Sequence, residues 1–344
     1  MPMKKKRILL TGGAGYIGSH TCVELIEAGY DVLILDNLCN SSEASIQAVE
    51  KITKTEIPFF QVDLLDKKAL DQIFQTESID AVIHFAGLKA VGESVEKPEL
   101  YYTNNVIGSL NLFEVMDKHG IYTIVFSSSA TVYGTPLEIP LRESTPTQRP
   151  SNPYGRTKLV IEDILRDYHV SNPKWNVTLL RYFNPVGAHI SGTLGEDPHG
   201  IPNNLMPYIA QVAVGKLECL GVFGNDYETP DGTGVRDYIH VVDLAKGHVA
   251  AIDTHLSSSG VHIYNLGSGT GTSVLELLKA FEIACGKTLP YAIKPRREGD
   301  LATYHADPSL ANRELNWTAT RTIEDIAADT WRWQSQNPNG YIST

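Results

Sequence analysis

Two rhythms of apolar and polar positions alternate over the first half of the chain. Short β-branched runs at Arg7–Thr11, Asp31–Asp36, 59–63, 81–85, 121–127 and 177–183 are separated by stretches with an apolar residue every three or four positions. The runs predict strands and the stretches predict helices, so their succession predicts parallel strands joined by crossover helices. Helices are expected over 17–28, where Gly29 stops the pattern, over 98–118 and over 154–168. The second of these carries apolar Leu100, Val106, Leu110, Leu112, Phe113 and Val115, with Pro98 suited to its first turn and Gly120 to its far end.

After residue 184 the texture changes. A loop rich in Gly, Pro, His and Asn over 185–204 precedes another helical stretch, then a turn region at 221–226. Strand patterns at 238–242 and 262–266 could rejoin the first sheet, and 323–333 reads as an amphipathic helix. The fold class expected is α/β, a Rossmann-type doubly wound parallel sheet with a smaller α/β C-terminal substrate-binding lobe. Residues 1–184 would form the dinucleotide-binding domain, with segments near 236–269 returning to it, and 185–344 would mainly bind substrate.

Composition narrows the function classes. With 344 residues and 42% hydrophobic content the chain is long enough for two ordinary domains or one α/β domain with a large lobe, and can bury a sizeable core. No apolar run approaches the ~18 residues of a membrane span. The three apolar residues after the basic start, Ile8 to Leu10, are too few for an export signal. Forty acidic against 29 basic residues give a net charge of -11, which disfavours non-specific nucleic-acid binding. Cys22, Cys39, Cys219 and Cys285 form no C-x-x-C pair, so reduced thiols of a cytoplasmic protein are expected and a metal site is not.

The chemistry starts in Thr11-Gly12-Gly13-Ala14-Gly15-Tyr16-Ile17-Gly18, between a strand and a helix. A helix that begins in a glycine loop aims unpaired N–H groups and its positive dipole end at a pyrophosphate. Gly12, Gly15 and Gly18 would supply the turn, the close approach and the helix–strand packing. Asp36 ends the next strand, placed to bond the adenine ribose and to repel a 2′-phosphate, which favours NAD over NADP. Asp63 and Leu64 end strand three near the adenine edge. Phe85, Ala86 and Gly87 end strand four with Lys89 just after, where backbone could lie against the second ribose; a tight turn after a buried strand accounts for them equally well.

Tyr154 and Lys158, four residues apart, share one helix face. A free phenol has a pKa of about 10 and needs a nearby cation to act as a base at neutral pH. Lys158 is placed to be that cation, beside the hydroxyl-rich strand end Ser127-Ser128-Ser129-Ala130-Thr131.

Longer blocks carry a resemblance: His84-Phe85-Ala86-Gly87-Leu88-Lys89-Ala90-Val91-Gly92-Glu93-Ser94, Arg181-Tyr182-Phe183-Asn184-Pro185, Ile201-Pro202-Asn203-Asn204-Leu205-Met206-Pro207 and Gly234-Val235-Arg236-Asp237-Tyr238. Over nearly its whole length the chain resembles the extended short-chain dehydrogenases/reductases, closely their UDP-hexose 4-epimerase branch. The resemblance implies reversible epimerisation of UDP-galactose and UDP-glucose at carbon 4, with NAD held and regenerated each cycle. It makes Tyr154 the acid/base, Ser129 its helper with Thr131 nearby, and Lys158 the group that binds the nicotinamide ribose and lowers the phenol pKa. It adds Tyr16, Ile17, Asn37, Asn104 and Tyr182 to the cofactor site. Phe183, Asn184, Asn203, Asn204, Leu205, Phe223, Arg236, Arg297 and Asp300 would hold the UDP-sugar, the two arginines meeting phosphate oxygens. Tyr304 would limit pocket size and disfavour N-acetylated sugars. The related dehydratases place an Asp-Glu pair where this chain has Ala130 and Thr131, which favours epimerisation over elimination. A homodimer through the helices near 98–118 and 154–168 is also implied. A sensor of NAD or a metabolite is the non-enzymatic alternative, disfavoured because Tyr154 and Lys158 are both present.

Overall fold

The β-branched runs form strands in the computed structural model, which describes residues 5–341 apart from 199, 203 and 298. In chain order the strands are β1 (Arg7–Thr11), β2 (Asp31–Asp36), β3 (Phe59–Gln61), β4 (Ala81–His84), β5 (Thr123–Ser129), β6 (Asn176–Tyr182), β7 (Asn184–Val186), β8 (Leu220–Phe223), β9 (Val235–His240), β10 (Gly260–Leu266), β11 (Gly271–Ser273), β12 (Tyr291–Lys294) and β13 (Thr303–Tyr304). Seven of them make one sheet in the order β10-β6-β5-β4-β1-β2-β3. The pairings of β1 with β2 and β4, of β2 with β3 and of β4 with β5 are all parallel. Strand order reverses between β1 and β4, and the crevice beyond the carboxyl ends of those strands is where open α/β sheets bind ligands.

The chain divides into two units. The first takes residues up to Gly134, Pro146–Arg181 and Ala245–Tyr264. Its core includes Leu9, Leu33, Val82, Phe113, Ile124, Phe126, Trp175 and Leu179, all fully buried. Burial on both faces explains why these strands read as unbroken apolar runs. Each such large side chain contributes about 1.5–3 kcal/mol on burial. The second unit takes Thr135–Thr145, Tyr182–Leu244 and the chain from Asn265. Its core gathers Met206, Ile209, Val222, Leu277, Phe281 and Ile326, and its strands β7, β9, β11 and β13 form a separate sheet.

Three stretches differ from the sequence pattern, one of them in two ways. The stretch 98–118 is not one α-helix: Pro98–Tyr101 and Gly108–Lys118 are α-helical, and Tyr102–Ile107 between them is a π-helical turn. The Asn105 side chain is the reason, since it bonds Leu88 N at 2.8 Å, Leu88 O at 3.0 Å and Thr157 Oγ1 at 3.1 Å. The 221–226 region begins as a strand, because β8 finds a parallel partner in β12 before Gly224 turns the chain at φ +83. The 238–242 strand shifts to β9, and Val241 starts the helix Val241–His255, whose Val242 N–H donates to His240 Nδ1 at 3.1 Å. Finally, β9 belongs to the second unit's sheet, paired with β7, β11 and β13, so of the 236–269 stretch it is β10 that joins the seven-stranded sheet.

Candidate active site

At the end of β1, Gly12 turns the chain at φ +71, and a Cβ there would lie 2.6 Å from Ala86 N. A Cβ on Gly18 would lie 2.4 Å from Gly12 O, so the helix Tyr16–Glu27 packs directly on the turn. That helix starts at Gly15 with no side-chain cap and no acidic residue in its first turn. The first N–H groups of a helix have no intrahelical acceptor, and with the positive dipole end they suit an anion. Tyr16 and Ile17 are its first two residues, and the Tyr16 carbonyl is bonded to His20 Nδ1 at 2.7 Å.

Asp36 is buried at the end of β2. Its carboxylate accepts from Ala14 N at 3.1 Å, Leu38 N at 2.9 Å and Ser41 Oγ at 2.8 Å. A carboxylate has about four acceptor positions, so one is left for a ribose hydroxyl. Asn37 donates to Asp63 at 2.8 Å, and Leu64 packs under Gly108, where a Cβ would sit 3.3 Å away. Phe85 N and Ala86 N both donate to Thr11 O at 2.9 Å, which ties the end of β4 to the glycine turn. Gly87 faces the Asn105 side chain, which also takes a bond from Asn104, and Tyr182 closes β6 in a buried position. An uncapped helix end, a turn that admits no Cβ and a carboxylate with a spare acceptor position fit a dinucleotide.

The next cluster lies at the end of β5. Ser129 ends the strand, and its Oγ accepts from Thr131 N at 3.3 Å and from Thr131 Oγ1 at 3.0 Å. A hydroxyl has two acceptor positions and one proton, so with both acceptors used the Ser129 proton is left for the Tyr154 phenol, whose pKa it lowers. Tyr154 sits in the first turn of the helix Pro153–Ser171, capped by Asn152 through Gly155 N at 2.9 Å. Burial raises its pKa above the ordinary phenol value, while the Ser129 bond and the Lys89 charge pull it down.

Lys158 is placed differently from the expectation. Its ammonium donates to Ser127 O at 2.6 Å and lies 4.9 Å from the centroid of the Phe126 ring and 6.0 Å from that of Tyr154. Burial lowers its own pKa to about 8. The cation whose field lowers the Tyr154 phenol is Lys89, on the loop after β4.

Sequence reasoning missed a buried relay behind these groups. Thr11 Oγ1 bonds His84 Nδ1 at 2.7 Å, His84 Nε2 bonds Ser109 Oγ at 2.8 Å, and Ser109 donates to Asn105 O at 2.5 Å. Since Ser109 spends its proton on Asn105, His84 carries its proton on Nε2 and accepts from Thr11. Asn105 continues to Thr157, which donates to Tyr154 O at 2.7 Å. Burial, with Lys158 nearby, lowers the His84 pKa to about 3, so this imidazole is neutral. The one local signal was a histidine closing an otherwise apolar strand.

In the second unit the predicted residues fall into separate groups. Arg236 Nη1 donates to Val235 O and Leu301 O, both at 2.8 Å, and Nη2 lies 3.5 Å from Asp300. Tyr304 is its register partner on β13 and stands 5.9 Å, centroid to centroid, from Phe183. Arg297 stacks on Phe223, 4.0 Å from the ring centroid. Asn184 starts β7 opposite Tyr238. Asn204 donates to Glu196 at 3.2 Å and precedes the helix that Leu205 opens, while Asn203 lies outside the described residues.

A doubly wound sheet with a glycine-turn cofactor cradle, and with Ser129, Tyr154 and Lys158 at one strand end, defines a short-chain dehydrogenase/reductase of the extended kind. The family model described as GDP-mannose 4,6 dehydratase matches residues 9–330. UDP-glucose 4-epimerase of Bacillus subtilis is 61% identical over 336 residues, covering 98% of this chain and 99% of that protein. The crystal structure of UDP-glucose 4-epimerase from Bifidobacterium longum in complex with NAD+ and UDP is 58% identical, with a TM-score of 0.95, covering 98% of this chain and 100% of that one. The structure from Stenotrophomonas maltophila, with bound NAD and formylated UDP-arabinopyranose, is 50% identical at a TM-score of 0.94, covering 97% and 99%. The chain belongs to this family, on the branch of the UDP-glucose 4-epimerases.

Proposed function

We propose that the protein interconverts UDP-galactose and UDP-glucose by epimerisation at sugar carbon 4, as an NAD-dependent isomerase of galactose metabolism. The observation that carries this reading is the cluster at the end of β5, where Lys158 donates to Ser127 O, the Ser129 hydroxyl lowers the Tyr154 pKa, and Ala130 and Thr131 supply no second acid or base. When bound, NAD accepts hydride from carbon 4 and returns it to the other face. Gly12, Gly15, Tyr16, Ile17, Asp36, Asn37, Asp63, Leu64, Phe85, Ala86, Gly87, Lys89, Asn104 and Tyr182 would hold it. Tyr154 takes the 4-hydroxyl proton at its phenolate oxygen, with Ser129 donating to that oxygen, Lys89 supplying positive charge and Lys158 meeting the nicotinamide ribose. Tyr154 then gives the proton back once the 4-keto sugar has turned over. Arg236 and Arg297 hold the pyrophosphate, with Phe183, Asn184, Asn203, Asn204, Leu205, Phe223 and Asp300 around the rest of the nucleotide-sugar. Strong binding away from carbon 4 leaves the sugar free to rotate. Tyr304, ring to ring with Phe183, narrows the sugar site against N-acetyl groups.

The working form is a homodimer. Val95, Leu100, Ile107 and Val160 are exposed apolar side chains on the helices over 91–118 and 153–171, a surface suited to a second copy of the chain. The four cysteines are unpaired, which agrees with a reducing cytoplasmic location. No helix among the described residues is long and apolar enough to cross a membrane. The test is to incubate the purified protein with UDP-galactose, without added NAD, and follow UDP-glucose by NMR. Conversion without release of NADH supports the reading, and no conversion even with NAD present overturns it.

A further inference from the structure

Tyr154, Lys158 and Glu162 are spaced by four on the helix Pro153–Ser171, so they share one face. Each meets one of three consecutive residues of β5. The Ser129 hydroxyl pulls the Tyr154 pKa down, Lys158 donates to Ser127 O at 2.6 Å, and Glu162 Oε1 accepts from Ser128 Oγ at 2.5 Å. Two of these contacts belong to the proposed chemistry. The third does not touch a reacting group.

The Glu162 carboxylate is fully buried, and its acceptor positions are all used. Arg181 Nε reaches Oε1 at 2.9 Å, Arg181 Nη2 reaches Oε2 at 2.7 Å, and Arg166 Nη2 reaches Oε2 at 3.1 Å. Arg181 is itself buried on β6 and lies over the Tyr133 ring, 4.7 Å from its centroid. One carboxylate thus joins the helix, β5 and β6. Removing such ions from water costs several kcal/mol each, and well-packed apolar residues often replace a buried pair without loss of stability. Stability alone is therefore a weak reason for this network, whereas a fixed register between helix and strand is a use that suits its place.

We propose that Glu162, through Ser128 and Arg181, is a positioning residue: it locks the helix against β5 so that Ser129 stays on the Tyr154 phenol and Ser127 O stays on Lys158. The proposal deepens the epimerase reading and rests on it for its kinetic arm. Ser128→Ala is the informative variant, because it frees the strand from Glu162 while leaving the Glu162–Arg181–Arg166 ion network paired. Besides Ser129, the groups that bear on Tyr154 are Lys158 on its own helix, Lys89 after β4, and Tyr101, which donates to Glu93 at 3.0 Å. Ser128→Ala changes none of these groups.

The test has one readout that needs no turnover. In [13Cζ]tyrosine-labelled protein, with the Tyr154 resonance identified by its loss in Tyr154→Phe, Ser128→Ala is expected to move the Tyr154 titration up by about half a unit to one unit, the scale of one weakened hydrogen bond. The kinetic arm expects kcat for UDP-galactose to fall about three- to tenfold at neutral pH with KM unchanged, the low-pH limb moving up by the same shift. Ser128→Thr, which keeps the hydroxyl, restores both. An unmoved Tyr154 titration in a folded Ser128→Ala protein overturns the positioning role. An inactive wild type with a moved titration would instead overturn the epimerase reading and leave this role standing.

Discussion

Gly12 is the position where one added methyl group tests the cofactor cradle. Alanine there must hold φ near +71, which costs an L-residue about 1–2 kcal/mol. Its Cβ would also sit 2.6 Å from Ala86 N, 2.8 Å from Ala86 Cα and 3.0 Å from Phe85 C, whereas ordinary contact begins at 3.4 Å. Backbone cannot rotate away as a flexible side chain can, so the turn and the end of β4 must separate by several tenths of an ångström. That movement stretches the two 2.9 Å bonds from Phe85 N and Ala86 N to Thr11 O, each with a net value of about 1 kcal/mol. Gly12→Ala should therefore lose about 3–4 kcal/mol of stability and its grip on NAD together. Gly29→Ala is the internal control: φ is +95 there, but nothing lies within 4 Å of the added Cβ, so only the backbone cost of about 1–2 kcal/mol applies. Urea denaturation of both variants, with bound NAD quantified after gel filtration, reads both effects. If Gly12→Ala matched Gly29→Ala in stability and kept its NAD, the close approach of the turn to β4 would not govern cofactor binding.

Three further outcomes are expected. His84, with its pKa lowered to about 3, binds no proton in the folded state where an unfolded histidine does, so its contribution to stability is lost as pH falls from about 6.5 towards 3, at up to ~1.4 kcal/mol per pH unit; its imidazole NMR signal should not titrate between pH 7 and 5, and a midpoint near 6.5 would contradict this. Lys158, lowered to about 8, penalises the folded state while it is charged, and the penalty disappears as pH rises through about 8 to 10.5. Lys158→Met should then abolish turnover yet raise the denaturation midpoint at pH 7, with the advantage shrinking above pH 8; a variant less stable than wild type at pH 7 would count against the buried charge. Tyr304→Ala removes the ring beside Phe183 and should raise the efficiency ratio of N-acetylated to plain UDP-hexoses about tenfold or more, since forcing extra atoms into a packed site costs about 1–3 kcal/mol and ~1.4 kcal/mol is tenfold; an unchanged ratio removes Tyr304 as a size limit.

Strands buried on both faces carry their own signal, which is why β1, β2, β4 and β6 were legible as apolar runs. The π-helical turn was not, because it depends on Asn105 bonding Leu88 and Thr157, 17 and 52 residues away. Likewise β8 is four residues with Gly221 inside it and Gly224 after it, and becomes a strand only through β12. The pair Val241 and Val242 favours strand by propensity, yet the His240 ring turns that position into a helix start. In the site, local spacing was enough to find the glycine turn, Tyr154 and Lys158. Long-range facts were not: Lys89 acts on Tyr154 across 65 residues, and Lys158 turns its charge to Ser127 O. The strongest unused signal was Arg181 in the otherwise apolar end of β6, since a charge in a buried strand requires a buried partner, here Glu162.

Hydride that passes from carbon 4 to NAD and back never meets solvent. UDP-galactose deuterated at carbon 4, converted by the purified protein in ordinary water and read by mass spectrometry and proton NMR, tests it directly. The product expected is UDP-glucose with the deuterium still at carbon 4. Product that has exchanged its label for solvent hydrogen would mean that carbon 4 is deprotonated rather than oxidised, and would contradict the role given to NAD and Tyr154.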